Sequence, residues 1–170
     1  RSIAAQSFVL LKNSGNTLPI KKSGTIALVG PLADAKENMT GTWSVAARFS
    51  ESISVLEGLK KAVGATAKIV YAKGSNLDED EVLEANATLF GKSLHRDKRS
   101  AAELREEALR IAKSADVIVV AAGEAAEMSG EAASRTNIEI PETQKDLIKA
   151  LLKTGKPVVL VLFTGRPLAL

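Results

Sequence analysis

Four short apolar runs, separated by segments with helical patterns, constrain the fold of this chain more than any other feature. They occupy residues 25–30, 67–72, 117–122 and 158–163 and consist mainly of valine, isoleucine, leucine and alanine. A continuous apolar run of this length is typical of a strand that is buried on both faces of a sheet. Strands of this kind that alternate with helices predict a parallel sheet with helices on both faces.

The segments between the runs carry the helix signals that such a fold needs. Apolar residues recur at helical spacing in residues 2–12, 52–63 and 142–153, and Ser100 with Glu103 forms a capping box that opens a further helix. We therefore predict an α/β fold, a three-layer sandwich with a mostly parallel, doubly wound sheet in the flavodoxin-like order 2-1-3-4. The chain stops soon after the fourth strand, so we expect the sheet to be truncated at its C-terminal edge.

Composition indicates one partial domain, residues 1–170, and excludes several kinds of function. With 45% hydrophobic and 25% charged residues, the chain has the make-up of a globular domain with a real core. A net charge of +3, spread along the chain, gives no basis for nucleic-acid binding. There is no cysteine and a single histidine, His95, so we expect no metal and no cofactor. No apolar run reaches the roughly 18 residues that a membrane span needs.

The polar stretch after the third run is the strongest candidate for a functional site. It contains Glu124, Glu127 and Glu131 within eight residues, followed by Arg135. In an open α/β sheet, ligands bind outside the carboxyl ends of the strands, and a glutamate held there can serve as a general acid. A solvated loop explains the three glutamates as well, and spacing alone does not choose among them. Arg135 is placed to pair with one carboxylate or to hold the loop closed.

The loop after the first run offers two weaker candidates. Gly30 stands where a dinucleotide-binding fold has its glycine-rich turn, but the other glycines are missing and Pro31 lacks a backbone donor, so we expect no nucleotide site. Trp43 lies among small polar residues, with Ser44 after it. Tryptophan is more often part of a core, whereas these neighbours favour a ring on the surface on which a sugar can stack. Both interpretations remain open.

Eight segments stand in an order and spacing that one enzyme family shares, and they cover nearly the whole chain. The chain resembles the second, α/β sandwich domain of glycoside hydrolase family 3, of the type found in bacterial periplasmic β-glucosidases. The matching segments are SFVLLKN (7–13), TIALVGPLAD (25–34), GTWS (41–44), SVLEGLKKAVG (54–64), VYAKG (70–74), SADVIVVAAGE (114–124), SGEAASRTNIEIP (129–141) and GKPVVLVLFTGRPLAL (155–170).

This resemblance implies roles for individual residues. In the family the active site lies between a (β/α)₈ barrel and this sandwich, and hydrolysis with retention uses a nucleophile on the barrel and an acid/base glutamate on the sandwich. The family pattern of a glutamate and an arginine four residues later falls on Glu131 and Arg135, so Glu131 is the implied acid/base. Ser44 matches a serine that reaches the sugar, and Trp43 and Arg135 are implied near the substrate. Ser134 departs from the aspartate that many members have there.

The resemblance also implies what the parent protein does. It is expected to be a β-glucosidase that hydrolyses terminal, non-reducing β-D-glucosyl residues, and this chain alone is expected to be inactive. The implied partners are a β-glucoside or oligosaccharide substrate and the N-terminal barrel of the same protein, with no nucleic acid and no membrane, and the implied location is periplasmic or secreted. The alternatives are a non-catalytic carbohydrate-binding or scaffolding α/β module, and specificity for β-xylosides or N-acetylglucosaminides.

Overall fold

The sheet has four strands, all parallel, in a computed structural model that describes residues 2–41, 43–44, 46–87 and 95–169. Each of the four apolar runs forms a strand within one residue of its predicted bounds. The spatial order β2-β1-β3-β4 confirms the predicted flavodoxin-like order. Strands β2 and β4 are the edge strands, and every residue of β4 is only half-buried. The strands are β1 (Gly24–Val29), β2 (Ala67–Ala72), β3 (Val117–Gly123) and β4 (Val158–Phe163).

Two of the helices begin with a complete capping box. Ser54 and Glu57 form the box of α2, and Ser100 and Glu103 form the predicted box of α4, each serine accepting a backbone N–H three residues later. In the described part of the chain, no helix is long and apolar enough to cross a membrane. The helices are α1 (Ser2–Gln6), α2 (Val55–Val63), α3 (Glu81–Asn86), α4 (Ala101–Lys113) and α5 (Glu142–Leu152), and 3-10 turns span Lys36–Asn38, Phe49–Glu51 and Ala126–Met128.

The core consists of two hydrophobic clusters, one on each face of the sheet. Alternate residues of β1 contribute to opposite clusters because successive side chains of a strand point to opposite faces. Ile26 and Leu28 pack with α2, whereas Ala27 and Val29 pack with α4 and α5. This arrangement confirms the predicted three layers. The strand order reverses between β1 and β3, so the crevice at their carboxyl ends is where such a fold binds ligands.

The amino-terminal segment differs from its prediction. The helix predicted over residues 2–12 spans only Ser2–Gln6, and the residues that follow have no regular structure. Phe8, Val9, Leu10 and Leu11 are 67–81% exposed, so the apolar pattern is not buried against the described part of the chain. A short helix without a packing partner is marginally stable in water, which explains why the pattern alone overestimated the helix.

Candidate functional site

The two central strands end in the same backbone conformation. Gly30, after β1, has φ +124° and Gly123, at the end of β3, has φ +125°. A Cβ atom at Gly30 would overlap the carbonyl oxygen of Ala121, and one at Gly123 would overlap that of Phe163. Only glycine combines this conformation with such a close approach of two backbones. Both loops at the crevice therefore begin at positions that the sheet fixes closely.

Gln144, on α5, fixes the end of β3 further. Its side chain is fully buried. The amide nitrogen donates hydrogen bonds to the carbonyl oxygens of Leu77 (2.7 Å) and Gly123 (3.0 Å), and its oxygen accepts one from Gly123 N–H (2.8 Å). Buried backbone groups need such partners, so one side chain satisfies the strand end and connects it to the loop after β2.

Glu124, the first loop residue after β3, has a completely buried carboxylate that faces two arginines. Its Oε1 atom lies 3.0 Å from Arg135 Nη1, which donates a hydrogen bond, and 3.2 Å from Arg166 Nε, an ion pair without hydrogen-bond geometry. Among the described residues, Oε2 has no hydrogen-bond partner. Burial of an isolated carboxylate is costly, so the two guanidinium groups compensate a charge that the sheet end has taken out of water.

The same two arginines hold the segment that follows, residues 128–139, which we call the 128–139 loop. Arg166 Nη2 donates a hydrogen bond to the carbonyl oxygen of Met128, and Arg135 Nη2 donates one to that of Glu139 (3.0 Å). The segment after β4 also borders this loop, because Ala169 N–H donates to Ile138 O (3.0 Å). The loop is thereby attached at its first and last residues.

Glu131 lies in the middle of the 128–139 loop with an exposed side chain. Ala133 N–H donates to Gly130 O (3.2 Å) around it, and Ala132 has φ +61°, a conformation that few non-glycine residues adopt. Among the described residues, no side chain pairs with its carboxyl group. Glu124 and Glu127, at 3% and 8% exposure, are buried. Of the three glutamates, only Glu131 is accessible to a substrate.

The loop after β1, which begins at the same edge of the sheet, contains Trp43 and Ser44. Trp43 is 72% exposed, so the surface interpretation of this residue is correct and the core interpretation is wrong. Ser44 is half-buried, and its N–H donates to Gly41 O (3.2 Å). Asn38 Oδ1 accepts a hydrogen bond from Ala126 N–H (2.9 Å) and joins this loop to the one after β3. In the described part of the chain, no hydrogen bond links Trp43 or Ser44 to Glu131.

Sequence reasoning missed several residues that build this edge. Arg166 follows closely after an apolar strand, which is a usable signal in the sequence, whereas Glu124 was among the three candidate glutamates and only its burial was not predicted. Asn38 and Gln144 gave no signal, because neither stands in a recognisable motif. The suggestion that Arg135 pairs with a carboxylate is confirmed, with Glu124 as its partner.

A second buried glutamate, paired with a half-buried arginine, lies near the carboxyl end of β2. Glu84, on α3, is 3% exposed and accepts hydrogen bonds from Arg96 Nη1 and from Leu77 N–H. Close by, burial lowers the pKa of Lys73, whose ammonium donates to Asn76 Oδ1 (2.8 Å) and to the backbone oxygen of His95 (2.7 Å). In the part of the chain that the structure describes, no group of three or more histidine, cysteine, aspartate or glutamate residues is arranged to hold a metal ion.

Comparison with known proteins identifies the family of this chain. Residues 8–170 match the glycosyl hydrolase family 3 C-terminal domain. The chain belongs to glycosyl hydrolase family 3. It is 52% identical over 170 residues to a periplasmic beta-glucosidase of Salmonella typhimurium, and 35% identical over 174 residues to a beta-xylosidase of Formosa agariphila. These alignments cover 100% and 99% of this chain but only 22% and 21% of the relatives, so it spans about a fifth of their length.

A solved structure extends the comparison to the fold of this family 3 domain. The crystal structure of a beta-glucosidase from Listeria innocua in complex with glucose superposes with a TM-score of 0.71 at 35% identity. The superposition covers 94% of this chain and 19% of that protein. The resemblance inferred from the sequence segments and the α/β fold predicted from the apolar runs are both confirmed.

Proposed function

We propose that this family 3 domain is the acid/base-bearing part of a retaining β-glucosidase that acts on terminal, non-reducing β-D-glucosyl residues. The observation that carries the proposal is the exposed carboxyl group of Glu131 on a loop attached at both ends beside the crevice. The 52% identity with a periplasmic beta-glucosidase supports the substrate class. It also supports a periplasmic location.

In the proposed reaction, Glu131 first donates its proton to the glycosidic oxygen. A carboxylate nucleophile, which the resemblance assigns to an aspartate of a barrel domain outside this chain, attacks the anomeric carbon, and the aglycone leaves as an alcohol. Glu131, now ionised, then takes a proton from water while the water oxygen attacks the anomeric carbon and releases the sugar. Two displacements retain the configuration. Because this chain supplies only one of the two carboxyl groups, we expect it to be inactive alone.

The other predicted site residues fit different parts of this proposal. The exposed ring of Trp43 offers an apolar face for a sugar ring, and Ser44 offers a hydroxyl group on the same loop. Two nitrogens of Arg135 are engaged by Glu124 and by the Glu139 carbonyl. We therefore propose that Arg135 serves the substrate mainly by holding the loop, and direct contact with the sugar stays a prediction.

The test uses Glu131→Ala in the full-length protein with two glucosides that differ in their leaving groups. Methyl β-D-glucoside needs a proton on its leaving oxygen, whereas the dinitrophenolate of 2,4-dinitrophenyl β-D-glucoside leaves without one. We expect kcat/KM to fall on the order of 10³-fold for the methyl glucoside and by less than about tenfold for the aryl glucoside. Azide should raise kcat for the aryl glucoside, because it attacks the glycosyl-enzyme without a general base.

Glu127→Gln is the matched control, since it alters a neighbouring glutamate that is buried. It should leave the ratio of the two kcat/KM values unchanged. Wild-type rates for both glucosides in Glu131→Ala would show that Glu131 is not the acid. A full-length protein that binds glucosides and cleaves neither would favour the non-catalytic module, and preference for aryl β-xylosides over glucosides would revise the substrate class.

A further inference from the structure

We propose that Glu124 is a positioning residue for catalysis: through Arg135 and Arg166 it holds the 128–139 loop and thereby places the carboxyl group of Glu131. This inference rests on the proposed role of Glu131 and assigns a function to a buried carboxylate that never meets the substrate. The exposed acid and the buried carboxylate then act together, because the second fixes the position of the first.

The contacts connect one buried carboxylate to both ends of the loop. Arg166 contacts Glu124 through Nε and the Met128 carbonyl through Nη2, and Arg135 contacts Glu124 through Nη1 and the Glu139 carbonyl through Nη2. Each guanidinium thus spans from the carboxylate to one end of the loop. The planar, rigid guanidinium fork suits such bridging, which a lysine ammonium on a flexible stem does not reproduce.

The backbone of the residue that bears this carboxylate is fixed to the sheet. Glu124 N–H donates to Phe163 O (2.9 Å), and the preceding Gly123 is hydrogen-bonded through both its N–H and its carbonyl to Gln144. Strand β3 is paired on both sides, with β1 and with β4. Two arginines and one glutamate therefore connect the 128–139 loop to a central strand.

Stability alone does not account for this arrangement. An apolar side chain of similar volume is often as stabilising as a buried ion pair, or more so, because desolvation offsets the attraction. Here the cost is higher, since Glu124 Oε2 has no partner among the described residues. A charge that connects both ends of the loop fixes their relative position. The proposed acid on this loop must protonate one particular oxygen atom, so its carboxyl group needs such a fixed position.

The test replaces Glu124 with glutamine in the full-length protein, which keeps the volume and removes the charge that attracts both arginines. A displacement of about 1 Å at a catalytic group costs on the order of 10²-fold in rate. We expect kcat/KM for methyl β-D-glucoside to fall 10- to 100-fold, and that for 2,4-dinitrophenyl β-D-glucoside by less than about threefold. Arg166→Lys, which keeps the charge, should change the same ratio in the same direction by a smaller factor.

Two controls separate positioning from general destabilisation. Glu84→Gln removes the other buried glutamate of a glutamate–arginine pair and should lower both kcat/KM values by the same factor, as loss of folded protein does. In the Glu131→Ala background, Glu124→Gln should cause no further loss for the methyl glucoside, because the group that it positions is already absent.

Several outcomes overturn the inference and leave the role of Glu131 intact. One is a Glu124→Gln enzyme with an unchanged ratio of the two kcat/KM values, beside a Glu131→Ala enzyme with the expected ratio. Another is an additive loss in the double variant. A Glu131→Ala enzyme with wild-type rates overturns instead the proposed function on which this inference rests.

Discussion

The ends of β1 and β3 lie side by side and share one backbone conformation, yet different residues follow them. After Gly30 the chain enters Pro31, Leu32 and Ala33, all buried, whereas after Gly123 it enters the buried carboxylate of Glu124. In each case a backbone N–H just past the glycine donates to the neighbouring carbonyl. Leu32 N–H donates to Ala121 O (3.4 Å), and Glu124 N–H donates to Phe163 O (2.9 Å).

In both places the glycine serves the fold, whereas the residue that follows it differs in chemistry: proline after Gly30 and a glutamate after Gly123. Gly30 resembles the first glycine of a nucleotide-binding turn in its position after the first strand. Its role here is the close approach to β3. At Gly123 the same geometry is followed by a charged side chain that is buried, where it meets arginines from two loops.

The largest predicted effects come from breaking the shared conformation. Gly30→Ala and Gly123→Ala would each force a Cβ atom onto a neighbouring carbonyl oxygen at a φ that alanine rarely adopts. Backbone strain and overpacking each cost about 1–3 kcal/mol, so the free energy of unfolding should fall by about 3 kcal/mol or more in either variant. Urea unfolding measures this, with Gly41→Ala, in open space, as control. Marked tolerance of only one variant would contradict the equivalence of the two ends.

A smaller effect should distinguish the two ends. Gly30 N–H donates to a backbone oxygen, Lys73 O (3.1 Å), but Gly123 N–H depends on the side chain of Gln144. Gln144→Leu leaves one N–H and two carbonyl groups without this partner. At a net contribution of about 1 kcal/mol for each of the three hydrogen bonds, we expect the free energy of unfolding to fall by about 3 kcal/mol. Gln6→Leu, on exposed α1, should change it by less than about 0.5 kcal/mol. Equal stabilities for the two variants would show that the β3 end does not need the glutamine.

Local pattern was sufficient for the sheet but not for what covers its surface. The strand bounds followed from apolar runs, because burial on both faces leaves a strong signal in the sequence. The helix predicted over residues 2–12 was too long, because an apolar stripe does not reveal whether anything packs against it. The exposure of Trp43 was undecided for the same reason.

The site was predictable only in part. The resemblance singled out Glu131 from three glutamates, whereas spacing did not. The pairing of Glu124 with Arg166 spans a helix and a strand of intervening chain, and no local rule connects residues so far apart. Neither does any local rule show that the carboxylate nearest the strand is buried while the one in the middle of the loop is exposed.

The smallest predicted effect concerns two lysines, each of which pairs the loop after β1 or the loop after β3 with the helix that follows it. Lys36 pairs with Glu57 on α2, whereas Lys145 on α5 pairs with both Glu139 and Glu142. The hydrogen bond from the lysine is the main cause that lowers the pKa of each glutamate below 4.5. A lowered pKa contributes stability that is fully present above pH 4.5 and is lost as the pH falls through the lowered value.

The unfolding free energy should therefore decline on acidification from pH 6 to pH 3, and Lys145→Met should reduce that decline more than Lys36→Met does. At the β3 loop one lysine pairs with two carboxylates, whereas at the β1 loop one lysine pairs with a single carboxylate. There, Ser54 N–H continues to donate a hydrogen bond to Glu57 after the substitution. Urea unfolding at both pH values measures the difference. High salt should diminish it, because these pairs are partly exposed and screened. If Lys36→Met reduced the decline in unfolding free energy as much as Lys145→Met does, or more, the difference between the two lysines that the contacts indicate would be contradicted.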